Sequence, residues 1–178
     1  MIAENRADAD YLASVLDELD RVSGAADVAA VRAELTATGS LREKRKGKPE
    51  KWKEAAPLRY VSSGGYEILV GRNNTQNDAL TLRGAHKGDL WFHTQKIHGS
   101  HVILRCAGET PDDESLREAA SLAALHSQAA GGGRVSVDYT RVKFVKKPAG
   151  AKPGMVVYTG QTTLAAEADE ALAEKLKA

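Results

Sequence analysis

Asp89-Leu90-Trp91-Phe92-His93 puts an acid, an indole and an imidazole at alternate positions of one short run. On a strand, successive side chains leave by opposite faces, so Asp89, Trp91 and His93 share one face and Leu90 and Phe92 the other. Leu90 and Phe92 suit a core. The Asp-Trp-His face then offers a stacking surface beside a donor and an acceptor, which suits an unpaired base or a ribose. The same face also suits a second buried layer in which His93 bonds Asp89, although Trp and His on one strand are costly to bury without partners. His98-Gly99-Ser100-His101 follows. Gly99 permits a tight turn or the close approach of a phosphate, and Ser100 supplies a hydroxyl.

Other chemistries are weaker. His93, His98 and His101 with Asp89 suggest zinc, but their spacings of five and three are loose and no cysteine joins them. Asp89, His93 and Ser100 suggest a hydrolase triad, yet no nucleophile elbow is present. Neither a metal, nor another cofactor, nor catalysis is expected.

Two polar segments extend the candidate surface. Arg72-Asn73-Asn74-Thr75-Gln76-Asn77-Asp78 is rich in amides, which read base edges or sugars, while Arg72 meets phosphate. The alternative is a turn with a helix cap at Asn74 or Thr75. Arg141, Lys143, Lys146, Lys147 and Lys152 form a basic stripe. On a strand, Arg141, Lys143 and Lys147 project from one face while Val142, Phe144 and Val145 fill the core. That is a phosphate track or a solvated edge strand.

The elements that must hold these residues are legible in outline. Tyr11, Leu12, Val15, Leu16, Leu19 and Val22 recur at helical spacing over 8–22, and Ser23-Gly24 ends that helix. A second helix over 27–38 starts at Asp27, with Val28, Val31 and Leu35 as its stripe. The two form a hairpin over 1–40 that must pack on the rest or continue a longer helical structure. Residues 41–57 form a basic linker in which Trp52 reads as an anchor to the core or a base-stacking residue. Strands follow over 58–62 and 66–71 around Ser63-Gly64-Gly65, then a short helix up to Ala85 and strands over 89–94 and 101–106. Thr110-Pro111 opens a helix running to about Ala129. Strands over 135–146 and 154–160 come next, and 165–177 is an acidic helix or tail. The expected fold is α+β: a helical hairpin, then a mixed, mostly antiparallel sheet with a packed helix, its main domain spanning 58–164.

Bulk properties fit. The chain carries one cysteine, Cys106, among 178 residues, which suits a reducing compartment. It shows no bilayer-length apolar run and no signal-peptide pattern, so the expectation is a cytoplasmic protein without membrane partners. The net charge of +1 divides into −5 over residues 1–40, +8 over 41–160 and −2 over 161–178. A basic middle between acidic ends points to a polyanion.

Taken together, the motifs resemble the C-terminal RNA-binding domain (NFACT-R) of the NFACT family of ribosome-quality-control factors. They are Ser62-Ser63-Gly64-Gly65-Tyr66-Glu67-Ile68-Leu69-Val70-Gly71-Arg72-Asn73-Asn74, Gln76-Asn77-Asp78, Asp89 to His93, Gly99-Ser100-His101-Val102, Val137-Asp138-Tyr139-Thr140, and Lys146-Lys147-Pro148 through Lys152-Pro153-Gly154. They cover about 58–160. His98 departs from the family's usual proline. The hairpin resembles the segment joining the family's middle helical region to this domain. The resemblance implies binding to transfer RNA and to a large ribosomal subunit with an obstructed nascent chain, in support of C-terminal alanine tails added without messenger. The family's large N-terminal domain and long coiled coil do not fit within 178 residues, so tailing is not expected of this chain by itself. Fibronectin binding is a second implied role, since some members carry that label. The RNA-binding candidates are Arg72, Asn73, Asn74, Gln76, Asn77, Asp89, Trp91, His93, Gly99, Ser100, His101, Arg141, Lys143, Lys146 and Lys147.

Overall fold

The computed structural model describes residues 2–42 and 55–178. Most of the basic linker, including Trp52, lies outside the described residues.

Helices α1 (Ile2–Asp20) and α2 (Ala25–Ala37) form the expected hairpin. Asp27 does not sit at the N-cap, which is Gly24; its carboxylate instead reaches back to the amide and hydroxyl of Ser23. The buried face of the hairpin is not the expected apolar stripe. Tyr11, Ser14, Val15, Glu18, Val31 and Glu34 are inside, while Leu12, Leu16, Leu19 and Val28 are exposed. The reason is that the hairpin docks through polar contacts. Glu34 accepts from the Tyr11 hydroxyl (2.8 Å) and from the amide and hydroxyl of Thr75 (2.9 and 2.8 Å). Asn74 Nδ2 donates to Ser14 Oγ at 3.0 Å, and Arg21 donates to Ser100 Oγ and to the His126 carbonyl.

Glu18 is the odd member of this interface. It is 4% exposed, and neither carboxylate oxygen has a hydrogen-bond partner among the described residues. Burial, with Glu34 nearby, pushes its carboxyl up to about 9. The folded form therefore keeps a proton that the unfolded chain loses. Stability from this group is lost as pH rises from its ordinary 4.5 toward about 9, at up to ~1.4 kcal/mol per pH unit. Glu18→Gln is expected to flatten that decline. Thermal melts and amide exchange of α1 at pH 5 and pH 8 should show the variant gaining on the parent only at pH 8. An equal gain at both would contradict the assignment.

The sheet begins with the hairpin β1 (Leu58–Val61) and β2 (Glu67–Val70), turned at Gly65 with φ +85°. Beyond it lie α3 (Asn74–Asp78) and a π-helical turn, Ala79–Gly84. Then come β3 (Leu90–Thr94), β4 (Val102–Leu104), α4 (Asp113–Leu125) and β5 (Arg134–Arg141). A 3-10 turn, Val142–Phe144, leads to β6 (Val145–Lys146) and β7 (Val157–Tyr158), which pair as a separate small sheet. β8 (Thr162–Glu167) and α5 (Glu170–Leu176) close the chain. The main sheet runs β1-β2-β4-β3-β5-β8 with every pairing antiparallel. The α+β class stands, and the expected mixed sheet is antiparallel throughout the described strands.

Three elements differ from the sequence pattern in where they begin or end. α4 is capped by Asp112, whose carboxylate accepts from the Ser115 amide, so Pro111 precedes the cap rather than opening the helix. It ends at Leu125 because residues 126–128 bond to 98–100 instead, through Ser100 N to His126 O and Gln128 N to His98 O. The expected strand over 135–146 breaks at Val142, whose amide bonds to Asp89 O. Thr162–Glu167 is a strand on β5, and the terminal helix starts only after the cap at Asp169.

α4 covers one sheet face. Its Ala119, Ala120, Leu122, Ala123 and Ala124 meet Ile68, Val70, Leu90, Phe92, Val102, Leu104 and Val137, all buried. The four alanines let helix and sheet approach closely. The opposite face carries a second, smaller core, and the candidate site belongs to it.

Candidate nucleic-acid interface

Period two separated the β3 side chains correctly: Leu90 and Phe92 lie under α4, and Trp91 lies on the other face. That other face is not open. Trp91 is 1% exposed and packs with Leu80, Ile103, Val142 and Val145. The π turn, the 3-10 turn and the β6–β7 sheet cover it through Leu80, Val142, Val145 and Tyr158. Trp91 as an exposed stacking platform is therefore corrected to the centre of a second core.

Asp89 serves the same layer. It is buried, and its carboxylate accepts from the amides of His86 (2.8 Å), Cys106 (3.1 Å) and Ala107 (2.8 Å). It does not bond His93. The His93 ring instead stacks on Trp91, with centroids 5.7 Å apart and planes 4° apart. His101 stands edge-on to both rings, and its Nδ1 meets Thr81 Oγ1 at 2.8 Å. Burial lowers the His93 imidazole and pushes that of His101 down to about 3. Both are neutral near pH 7, so neither supplies positive charge for a phosphate. Together with Asn74, His98 and Tyr158 these rings border a cleft of about 160 Å³.

The amide-rich segment is likewise interior. Asn73, Asn74, Gln76 and Asn77 are all buried. Asn73, not Asn74 or Thr75, caps α3 by accepting from the Gln76 amide. Gln76 ties the Arg72 amide to the Ala55 carbonyl. Asn77 Oδ1 accepts from His101 N at 3.1 Å and lies so close to Gly71 that a Cβ there would meet it at 2.0 Å. Gly99 is small for the sake of Ser127, which a Cβ would approach to 2.8 Å, rather than for a phosphate. Ser100 is buried and accepts from Arg21.

Three of the candidate cations are also occupied. Arg72 donates to Ala56 O and pairs with Asp27 at 3.6 Å. Arg141 donates to the carbonyls of Gly88 and Glu109. Lys147 pairs with Asp78 and donates to Lys152 O. The break at Val142 removes the single strand face on which Arg141, Lys143 and Lys147 were to align. Phe144, expected in the core, is 42% exposed.

What remains outward is a different group. Lys143 and Lys146 are exposed, and so are Arg83 and Lys87, which the motif pattern had passed over. None of the four meets a carboxylate among the described residues. Their backbones are neighbours: Lys143 N donates to Lys87 O at 3.1 Å, and the 79–84 turn packs on Val145–Lys146. The buried motif therefore acts as a scaffold. Asp89 fixes the loop carrying Lys87, and Trp91 seats Val142 and Val145, which bracket Lys143. A readable signal for the missed pair was Arg83-Gly84-Ala85-His86-Lys87-Gly88, cations among chain breakers.

An antiparallel α+β module with exposed cations on adjoining segments, none paired with a carboxylate among the described residues, is the kind of surface that polyanion-binding modules present. Residues 57–165 match the family model of the NFACT protein RNA binding domain, and the chain belongs to that family. It is 41% identical over 170 residues to the Rqc2 homolog RqcH of Bacillus subtilis strain 168, covering 94% of this chain and 29% of that protein. It is 42% identical over 165 residues to the Rqc2 homolog RqcH of Streptococcus pneumoniae serotype 2, covering 92% and 29%. The chain thus spans under a third of these relatives' length. The structure of the C-terminal of the fibronectin/fibrinogen-binding protein from Streptococcus suis superposes with a TM-score of 0.91 at 40% identity, covering 99% of this chain and 70% of that one. Among the described residues, no helix is long and apolar enough to cross a membrane.

Proposed function

We propose that this chain is a non-enzymatic RNA-binding module that holds transfer RNA at a large ribosomal subunit carrying an obstructed nascent chain, in the cytoplasm. There it supports alanine tailing performed by a longer protein. The observation that carries this reading is the group Arg83, Lys87, Lys143 and Lys146, exposed and without a carboxylate partner among the described residues, on adjoining segments of an NFACT RNA-binding domain. Such cations attract phosphate without reading sequence. The test is a mobility shift of deacylated transfer RNA with the purified chain, repeated across salt. Micromolar binding at low salt that weakens steeply as salt rises is expected. No shift at low salt would end this reading.

A second reading is a protein-interaction module, favoured by the likeness to the Streptococcus suis fibronectin/fibrinogen-binding protein. A complex with fibronectin or with ribosomal protein that survives both nuclease and high salt would support it.

A further inference from the structure

Phe144 is an exposed aromatic on a turn between two buried valines. Val142 and Val145 are 8% and 7% exposed and sit in the Trp91 core, so the 3-10 turn between them pushes Phe144 outward at 42%. Lys143 Nζ lies 4.9 Å from the centroid of its ring. The ring borders a cleft of about 220 Å³ whose walls include Leu90, Pro111, Tyr139, Arg141 and Gly160. The Arg141 guanidinium is fixed by the Gly88 and Glu109 carbonyls, and the residue lines this cleft. Lys87 is joined to the same turn through the Lys143 amide.

An exposed ring, a fixed guanidinium and ammonium groups that meet no carboxylate among the described residues are what single strands bind: bases stack on the aromatic and phosphates meet the cations. The volume is below the roughly 300 Å³ at which drug-sized pockets begin, so it admits one ring system and no more. A duplex keeps its base faces stacked inside and cannot offer one.

We infer that this cleft takes one unpaired base of RNA, stacked on Phe144, with Lys87 and Lys143 on the adjoining phosphates. The inference rests on the RNA-binding reading above and assigns it a preference for single-stranded segments.

The test is fluorescence anisotropy of the full chain with an unstructured RNA of about ten nucleotides and with the duplex of the same sequence. Phe144→Leu keeps an apolar side chain without a π-face, and Phe144→Trp keeps the face. Phe144→Leu is expected to weaken single-strand binding about tenfold and duplex binding less than about twofold, with Phe144→Trp near the parent. Photocrosslinking of a 4-thiouridine oligonucleotide should label the peptide containing Phe144. Unchanged single-strand binding by Phe144→Leu, or equal loss on strand and duplex, overturns the inference and leaves RNA binding standing. A parent chain that binds neither RNA overturns both.

Discussion

Replacing Arg83, Lys87, Lys143 and Lys146 together by Gln should raise the Kd for transfer RNA by well over tenfold and flatten its salt dependence. The magnitude follows from counterion release. Each phosphate neutralised by a cation adds nearly one to the slope of log affinity against log salt, so losing four contacts should lower that slope by about three to four. All four side chains are exposed and unpaired among the described residues, so folding should be little affected, by about 0.5 kcal/mol per site or less. The comparison variant is Lys147→Gln. Lys147 is held by Asp78 and the Lys152 carbonyl, so its loss should lower the melting temperature and leave the slope almost unchanged. A quadruple variant with the parent's slope would show that RNA lies elsewhere. A Lys147→Gln slope reduced by a full unit would show that Asp78 does not hold that ammonium in solution.

The contrast between those two kinds of cation marks how far the sequence could be followed. The alternation around Trp91 placed each β3 side chain on the correct face, because the pleat is a local property. Whether the second face was wet or dry was not local. Its cover comes from Leu80 and Ala85 on one side of β3 in sequence, and from Val142, Val145, Val156 and Tyr158 far beyond it. Only their assembly turns an Asp-Trp-His face into a core. The same holds for Arg141, held by backbone carbonyls that leave no trace in residue type, and for Arg72, held by the Ala56 carbonyl and by Asp27 of a distant helix. The hairpin turn at Gly64-Gly65, a helix within 110–129 and the α+β class were legible because turn chemistry and periodicity are short-range, whereas the cap at Asp112 and the stop at Leu125 were not. β8 was missed because only Ala168 and the cap Asp169 separate Thr162–Glu167 from the acidic helix.

Trp91→Ala should be the most destabilising single substitution on this face. The indole is 1% exposed and is ringed by His93, His101 and Tyr158, with Tyr158 at 4.7 Å between centroids. Truncating a large buried aromatic costs about 3–5 kcal/mol, a large part of a typical 5–15 kcal/mol total. For a chain of this size that is a melting shift of about 10 °C or more, measured by circular dichroism. Trp91→Phe is expected to cost much less. It keeps a ring in place and removes an indole Nε1 that has no hydrogen-bond partner among the described residues, so volume is lost but no bond. RNA binding should follow stability here. Trp91→Ala loosens the seat of Val142 and Val145, and with it the placement of Lys143 and Lys146, so affinity falls. Trp91→Phe, still folded around the same layer, should bind almost as the parent does. If Trp91→Ala melts at the parent's temperature but loses RNA, or if Trp91→Phe does, the indole touches RNA directly and its role as scaffold is wrong.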